Sequence, residues 1–278
     1  MSMDSFVTIF CALVTASVAV HAKPPAWSTI ERAEAAATDL RETLAAMKSL
    51  VFPRHCGDLF KVGQKASGVY TLFHEAANSS GQKVYCDMET DGGGWTVIQR
   101  RGQFGNNVFY FNRNWEEYAR GFGDPAKEYW IGNRALHTLT SANDTMDLRV
   151  VLSNTTKDSE SVNYRRIRIG SEDDLFQMDV GQFLGPEGWN SLSGANGMKF
   201  STYDKDNDGY GDRNCAQTYN GGWWYNKCYL ANLNGLNQNG FFQGSAGGIV
   251  WGLTGSSYKF NYSYPSAVML IRPTDFNN

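Results

Sequence analysis

Val84-Tyr-Cys-Asp-Met-Glu-Thr-Asp-Gly-Gly-Gly-Trp-Thr-Val-Ile-Gln-Arg-Arg101 is the stretch that decides how this chain reads. Three consecutive glycines, Gly92–Gly94, run directly into Trp95-Thr-Val-Ile-Gln99, a segment of β-branched and aromatic residues. Such residues suit a pleated surface, and glycines ahead of them supply a tight turn. A phosphate cradle would open a helix instead, so this is a turn into a strand. Similar short runs follow at Gly68–Phe73, Leu148–Leu152 and Ala267–Ile271, separated by Gly, Asn and Asp clusters. Two helix-like stretches intervene, Asn114–Arg120 and the segment beginning near Asn133. The mixture predicts an α+β domain with a mainly antiparallel sheet. Residues 185–255 are mostly turn formers, yet they hold Trp189, Trp223, Trp224 and Trp251. They are expected to be an irregular region ordered by its own side chains, of the kind that carries binding sites.

On the N-terminal side, Ser28-x-x-Glu31 is a capping-box pattern. Apolar residues then recur at Ile30, Ala33, Ala37, Leu40, Leu44, Met47 and Val51. The alternating steps of three and four form a heptad seam. This predicts a helical stalk over residues 23–52 that oligomerises the chain as a short coiled coil; an amphipathic helix packed on its own domain is the alternative. Pro53 closes it. Residues 1–22 precede it, with an apolar run from Phe6 to Val20 and a small-residue ending at Ala22. The run is shorter than the roughly 20 residues of a membrane span. It reads as a secretory signal peptide, although the segment ahead of the run lacks Lys and Arg and carries Asp4. The remainder, 53–278, is expected to be one domain, soluble and extracellular, with no membrane insertion.

The balance of 25 Lys+Arg against 28 Asp+Glu gives a formal charge of −3, which excludes a basic nucleic-acid binder. Of five cysteines, Cys11 lies in the leader, leaving Cys56, Cys86, Cys215 and Cys228. Four cysteines in an oxidising compartment imply two disulfides, with three pairings open; no C-x-x-C or His spacing supports zinc. Asn78, Asn143, Asn154 and Asn261 head Asn-x-Ser/Thr sequons and are candidate glycosylation sites.

The sharpest chemical signal is Asp204-Lys-Asp-Asn-Asp208-Gly-Tyr-Gly-Asp212. Carboxylates at every second position resemble the first half of a calcium loop, with backbone carbonyls available to complete the shell. Position twelve is Cys215 rather than Glu, so this is no EF-hand. Next comes an aromatic stretch, Gly221-Gly-Trp-Trp-Tyr-Asn-Lys-Cys228-Tyr229, a composition suited to a small-ligand pocket, although adjacent Trp223 and Trp224 face opposite ways in an extended chain and one of them belongs in the core. No G-x-S-x-G, H-E-x-x-H or P-loop pattern occurs, and no enzyme is expected.

These stretches, together with Asn114-Trp-Glu-Glu-Tyr118, Tyr129-Trp-Ile-Gly-Asn133, Phe200–Asp208, Asn214-Cys-Ala216 and Asn232-Leu-Asn-Gly235, resemble the fibrinogen-related domain in the family's own order. The layout of leader, stalk and terminal domain is similar to secreted lectins of the tachylectin, ixoderin and ficolin type. The resemblance implies a fibrinogen C-terminal-like fold with disulfides Cys56–Cys86 and Cys215–Cys228. It implies a Ca2+ site using the side chains of Asp206 and Asp208 with carbonyls near Tyr210 and Asp212. It implies a ligand pocket beside the calcium loop, with a cis peptide at Lys227–Cys228 and walls from Tyr219 and Tyr229. Tyr229 stands where the lectins usually have His; Ser245 and Phe260 stand where they have Tyr. The implied function is a non-enzymatic, oligomeric, calcium-containing lectin for N-acetylated or related glycans on microbial surfaces in innate immunity. A fibrinogen-like protein-binding ligand is the alternative.

Overall fold

The computed structural model describes residues 25–74, 81–141, 145–244, 247–252 and 261–276. The expected leader at 1–22, Asn78, Asn143, Ser245 and Phe260 lie outside the described residues. The chain divides into two compact units, residues 1–48 and 49–278.

Helix α1 spans Pro25–Val51. It starts before the capping box expected at Ser28. Pro25 can open a helix because its missing N–H would have no intrahelical partner there. The seam residues Ile30, Leu40, Leu44, Met47 and Val51 are 53–62% exposed. An apolar stripe of that kind has no core of its own.

The second unit is built on a nine-stranded antiparallel sheet. Its strands are β1 Gly68–Leu72, β2 Gln82–Asp87, β3 Trp95–Arg101, β4 Phe122–Gly123, β5 Tyr129–Trp130, β6 Met146–Ser153, β7 Ser159–Ile169, β8 Met178–Leu184 and, last in the chain, β13 Ser266–Pro273. The spatial order is β1-β2-β3-β13-β6-β7-β8, with β5 joining β3 and β4 joining β5. The final strand therefore lies between β3 and β6. Short pairs β9 Ala231–Asn232 with β11 Val250–Trp251, and β10 Gly240–Phe241 with β12 Tyr262–Ser263, stand apart. The short helices are α2 Cys56–Lys61, α3 Trp115–Arg120, α4 Asn133–Ser141 and α5 Cys215–Tyr219.

Local chemistry accounts for these elements. Asn114 and Glu117 form a reciprocal capping box at the start of α3. Gly92–Gly94 all have positive φ, and a Cβ on Gly93 would collide with the Met88 carbonyl, so the turn into β3 needs glycine. Strand β6 alternates strictly, sending Met146, Leu148, Val150 and Leu152 into the core. Cys56 and Cys86 pair with a Cα–Cα distance of 5.5 Å, and Cys215 and Cys228 with 5.7 Å. Both lie within normal disulfide geometry.

The irregular region after β8 is packed as expected, but more deeply. Trp223 and Trp224 are both buried, at 0% and 1% exposure. Trp224 stacks edge-on against Phe200 at 5.0 Å and donates to the Phe176 carbonyl. Neither indole is available to stack on a ligand, so Gly221–Tyr225 is core rather than the wall of a pocket. Buried side chains of β3 hold this region on the sheet. Gln99 donates to the Leu233 carbonyl, and Arg101 Nη1 donates to the carbonyls of Leu233 and Gly235 at 2.9 and 2.8 Å.

Candidate functional site

The segment between Ser201 and Cys228 is fixed at both ends. Ser201 and Trp223 exchange backbone hydrogen bonds, and the Cys215–Cys228 disulfide closes the far side. Within it the three alternating aspartates take different roles. Asp204 accepts the Trp115 N–H at 2.9 Å and the Thr202 hydroxyl at 2.7 Å, so it tethers the start of α3. Asp206 and Asp208 stay together: the Asp208 N–H donates to Asp206 Oδ1 at 3.2 Å. Asp208 accepts the N–H groups of Tyr210 and Cys215, both at 2.8 Å. Its carboxyl is nonetheless held above the usual carboxylate range, first by burial and further by the charge of Asp206, against the pull of those two N–H groups. Tyr210 and Asp212 lie in the exposed stretch ahead of α5.

This donor set suits a hard cation in part. Among the described residues no group of three or more His, Cys, Asp or Glu side chains converges. Two adjacent carboxylates repelling each other, Asp206 exposed and Asp208 half-buried, still favour a divalent ion. The remaining ligands must come from backbone carbonyls or water, which calcium accepts.

Beyond the disulfide the predicted pocket residues meet. The peptide bond Lys227–Cys228 is cis. Tyr219, from the end of α5, and Tyr229 meet edge to face at 4.8 Å, both half-buried. Gly247 backs onto the same corner: a Cβ there would lie 3.0 Å from the Tyr219 ring and 3.1 Å from the Tyr229 hydroxyl. Burial, with the neighbouring Tyr219, pushes the Tyr229 phenol well above its ordinary value, so it stays protonated. Lys227 is exposed beside it. The sequence reading missed Gly247, which only the fold brings to Tyr219. It also missed Asn226, whose carbonyl accepts the Gly209 N–H at 3.1 Å and so ties the acidic loop to the aromatic stretch.

Residues 52–274 match the family described as the C-terminal globular domain of fibrinogen beta and gamma chains. The chain belongs to this fibrinogen C-terminal family. Techylectin-5A of Tachypleus tridentatus is 43% identical over 227 residues, covering 81% of this chain and 75% of the relative. Fibrinogen-like protein 1 of Homo sapiens is 39% identical over 239 residues, covering 80% and 72%. Among solved structures, the fibrinogen-like globe of human ANGPTL6 superposes with a TM-score of 0.70 at 36% identity, over 79% of this chain and 94% of that one. The α+β reading and the fibrinogen-like fold therefore hold. In this fibrinogen-like globe, the acidic loop and the tyrosine corner are joined through one disulfide. Asn154, at the β6–β7 turn, donates its side-chain amide to Asp158 at 3.2 Å, and Asn261 is exposed.

Proposed function

We propose that this fibrinogen-like globe is a secreted, calcium-containing lectin for N-acetylated or related glycans on microbial surfaces, acting in innate immunity. The supporting observation is the corner formed by Tyr219, Tyr229 and Gly247 next to Lys227–Cys228. Two half-buried rings offer an apolar face to a methyl group, and nearby backbone and Lys227 groups offer polar contacts. Asp206 and Asp208 would hold Ca2+ with carbonyls near Tyr210 and Asp212. The cation would neutralise the paired carboxylates and shape the loop. Asp208 passes that order on through its hydrogen bond to Cys215. The relative Techylectin-5A is a lectin by name. The two disulfides fit an extracellular compartment, and among the described residues no helix is long and apolar enough to cross a membrane.

A single shallow site binds weakly, and the exposed seam of α1 supplies a way to raise avidity by self-association. The rival reading is a protein ligand without sugar binding, in keeping with the relatives fibrinogen-like protein 1 and the ANGPTL6 globe. A glycan array probed with the mature chain, in calcium and then in chelator, separates the two. Binding of acetylated glycans that weakens in chelator and on Tyr229→Ala supports the lectin. Silence toward every glycan at high valency removes it and favours the protein ligand.

A further inference from the structure

The other face of the sheet carries a second concave surface, away from the disulfide-stapled loop. Its floor follows from strand register. Val97, Leu270 and Arg149 stand in one row across β3, β13 and β6, since Val97 opposes Leu270 and Leu270 opposes Arg149, and Tyr85 of β2 lines the same surface. Arg100, Val268, Val151 and Ser161 stand in the next row. The register of β3 shifts against β13 between these rows, with Val97 opposite Leu270 and Arg100 opposite Val268. A bulge of this kind places Val97 and Arg100, three residues apart, on one face, where regular alternation would separate them. The result is a cleft of about 630 Å³ with a valine and leucine floor, a guanidinium on either side, and hydroxyls of Ser67, Thr90, Ser159 and Ser161 around it.

The two arginines are not equally engaged. Arg149 donates to the Ser161 hydroxyl at 3.0 Å and sits 3.4 Å from the Asp91 carboxylate. Arg100 is half-buried, with its guanidinium carbon 4.1 Å from the centre of the Tyr85 ring. Among the described residues no carboxylate comes within ion-pair distance of it. The Nε atoms of both Arg100 and Arg149 are buried without a hydrogen-bond acceptor. The Arg100 charge is met by the Tyr85 hydroxyl and, from beyond ion-pair distance, by Asp87, so this half-buried guanidinium is only partly compensated, and an anion supplied from outside adds to that compensation. The rim carries Asp87, Glu89 and Glu160, which repels a polyanion. The surface therefore suits a ligand with one negative group and several hydroxyls.

We propose that this cleft is a second ligand site, which binds a sugar bearing a single carboxylate or sulfate between Arg100 and Arg149. The planar guanidinium forks suit either anion. The apolar floor accepts the C–H face of the sugar ring, and the surrounding serines and threonine accept its hydroxyls. The site uses no calcium and no acetyl group, so it is independent of the tyrosine corner and of the function proposed for it.

The test is calorimetric titration of the mature chain in chelator with three probes that lack an acetyl group: methyl glucuronide, methyl glucoside 6-sulfate and neutral methyl glucoside. Binding of the uronate or the sulfate, but not of the neutral glucoside, is expected, and the stronger of the two identifies the anion. Arg100→Gln should weaken that binding about tenfold, the worth of a charge-assisted hydrogen bond, while Tyr229→Ala leaves it unchanged. Val268→Glu, which sets an internal carboxylate opposite Arg100, should abolish it and serves where Arg100→Gln fails to fold. Equal binding of the neutral glucoside, no binding of either anion, or loss on Tyr229→Ala overturns the proposal.

Discussion

Asp208 accepts the backbone N–H of Cys215 at 2.8 Å, so one carboxylate is bonded to the first residue of the disulfide that closes the loop. Asp204, four residues earlier, points away to the Trp115 N–H. The two aspartates should therefore respond differently to calcium. A ligand at 100 times its Kd stabilises by about 2.7 kcal/mol, and a domain of this size gains roughly 2–4 °C in Tm per kcal/mol. Calcium is expected to raise the Tm of the wild-type chain by about 5–10 °C. Asp208→Asn should erase that shift. Asp204→Ala should lower the Tm in chelator by the loss of two hydrogen bonds to a charged group, about 1.5–3 kcal/mol each, yet keep the calcium response. Scanning calorimetry of the three proteins decides it; equal calcium shifts in all three would place the cation elsewhere.

The aromatic residues of this region divide into packing and recognition. Trp223 is wholly buried, whereas Tyr219 is only half-buried. Trp223→Ala is expected to cost about 3–5 kcal/mol of stability. Tyr219→Ala should cost far less and instead weaken binding of acetylated glycans. Urea unfolding beside glycan-array titration reads both. A Tyr219→Ala chain that binds glycans normally would move the pocket away from the tyrosine corner.

How much of this was legible in the sequence depends on the range of the interactions. The alternation of β6 and the cap at Asn114 are local, and both are readable from a few residues. Strand β7 was not foreseen. Arg166 adopts a positive φ of 66°, and the register of β7 against β6 shifts between Tyr164 and Ile167, which breaks the two-residue period. The central place of β13 depends on contacts to β3 and β6 far away in the chain, which no local pattern reports. At the site, the Asp206–Asp208 pair and the Tyr219–Tyr229 corner were named in advance. Asp204 looked like a third cation ligand because spacing cannot reveal that Trp115 lies within hydrogen-bond reach. The cleft over Val97 and Leu270 was hidden for the same reason: its two arginines lie on strands 49 residues apart in the chain.

Arg101 and Glu128 form an ion pair at 3.0 Å with side-chain exposures of 0% and 2%. Burial lowers the Arg101 pKa, with Glu128 opposing that shift. Removing one partner leaves a buried charge alone, at a cost of about 3–5 kcal/mol. Glu128→Gln and Arg101→Met are each expected to destabilise by that amount, and the double variant by clearly less than their sum. Additive losses in denaturant titrations would show that the pair is not coupled. Arg101 also donates to Leu233 and Gly235, so Arg101→Met should additionally weaken binding at the tyrosine corner.

The seam of α1 predicts a change in mass. Leu40 and Leu44 are exposed by 59% and 56%, and paired heptad positions bury such residues in an assembled coil. Sedimentation of the mature chain is expected to show an oligomer that becomes a monomer when residues 23–52 are removed. Leu40→Asp with Leu44→Asp should give the same monomer from the full stalk. A monomer in all three preparations refutes assembly through this helix.

His74 sets a limit on the acid side. Its ring is 4% exposed, and Nε2 lies 2.7 Å from Gln82 Oε1. Gln82 spends its amide on the Ile131 carbonyl at 2.7 Å, so Oε1 is the acceptor and His74 carries its proton on Nε2. Nδ1 is buried with no partner, and a second proton there would be an unpaired charge in the core. Burial accordingly holds the His74 pKa below its ordinary 6.5, against the opposing effect of its hydrogen bond to Gln82. Between the folded and unfolded values the unfolded chain binds more protons, so stability rises with pH through that window. It is lost as the pH falls from 6.5 toward the folded value. Urea unfolding at a series of pH values from 7.5 to 5 should show that slope in the wild type and a shallower one in His74→Gln, which keeps a polar side chain but cannot titrate. Parallel slopes in the two proteins would assign the acid sensitivity to other groups.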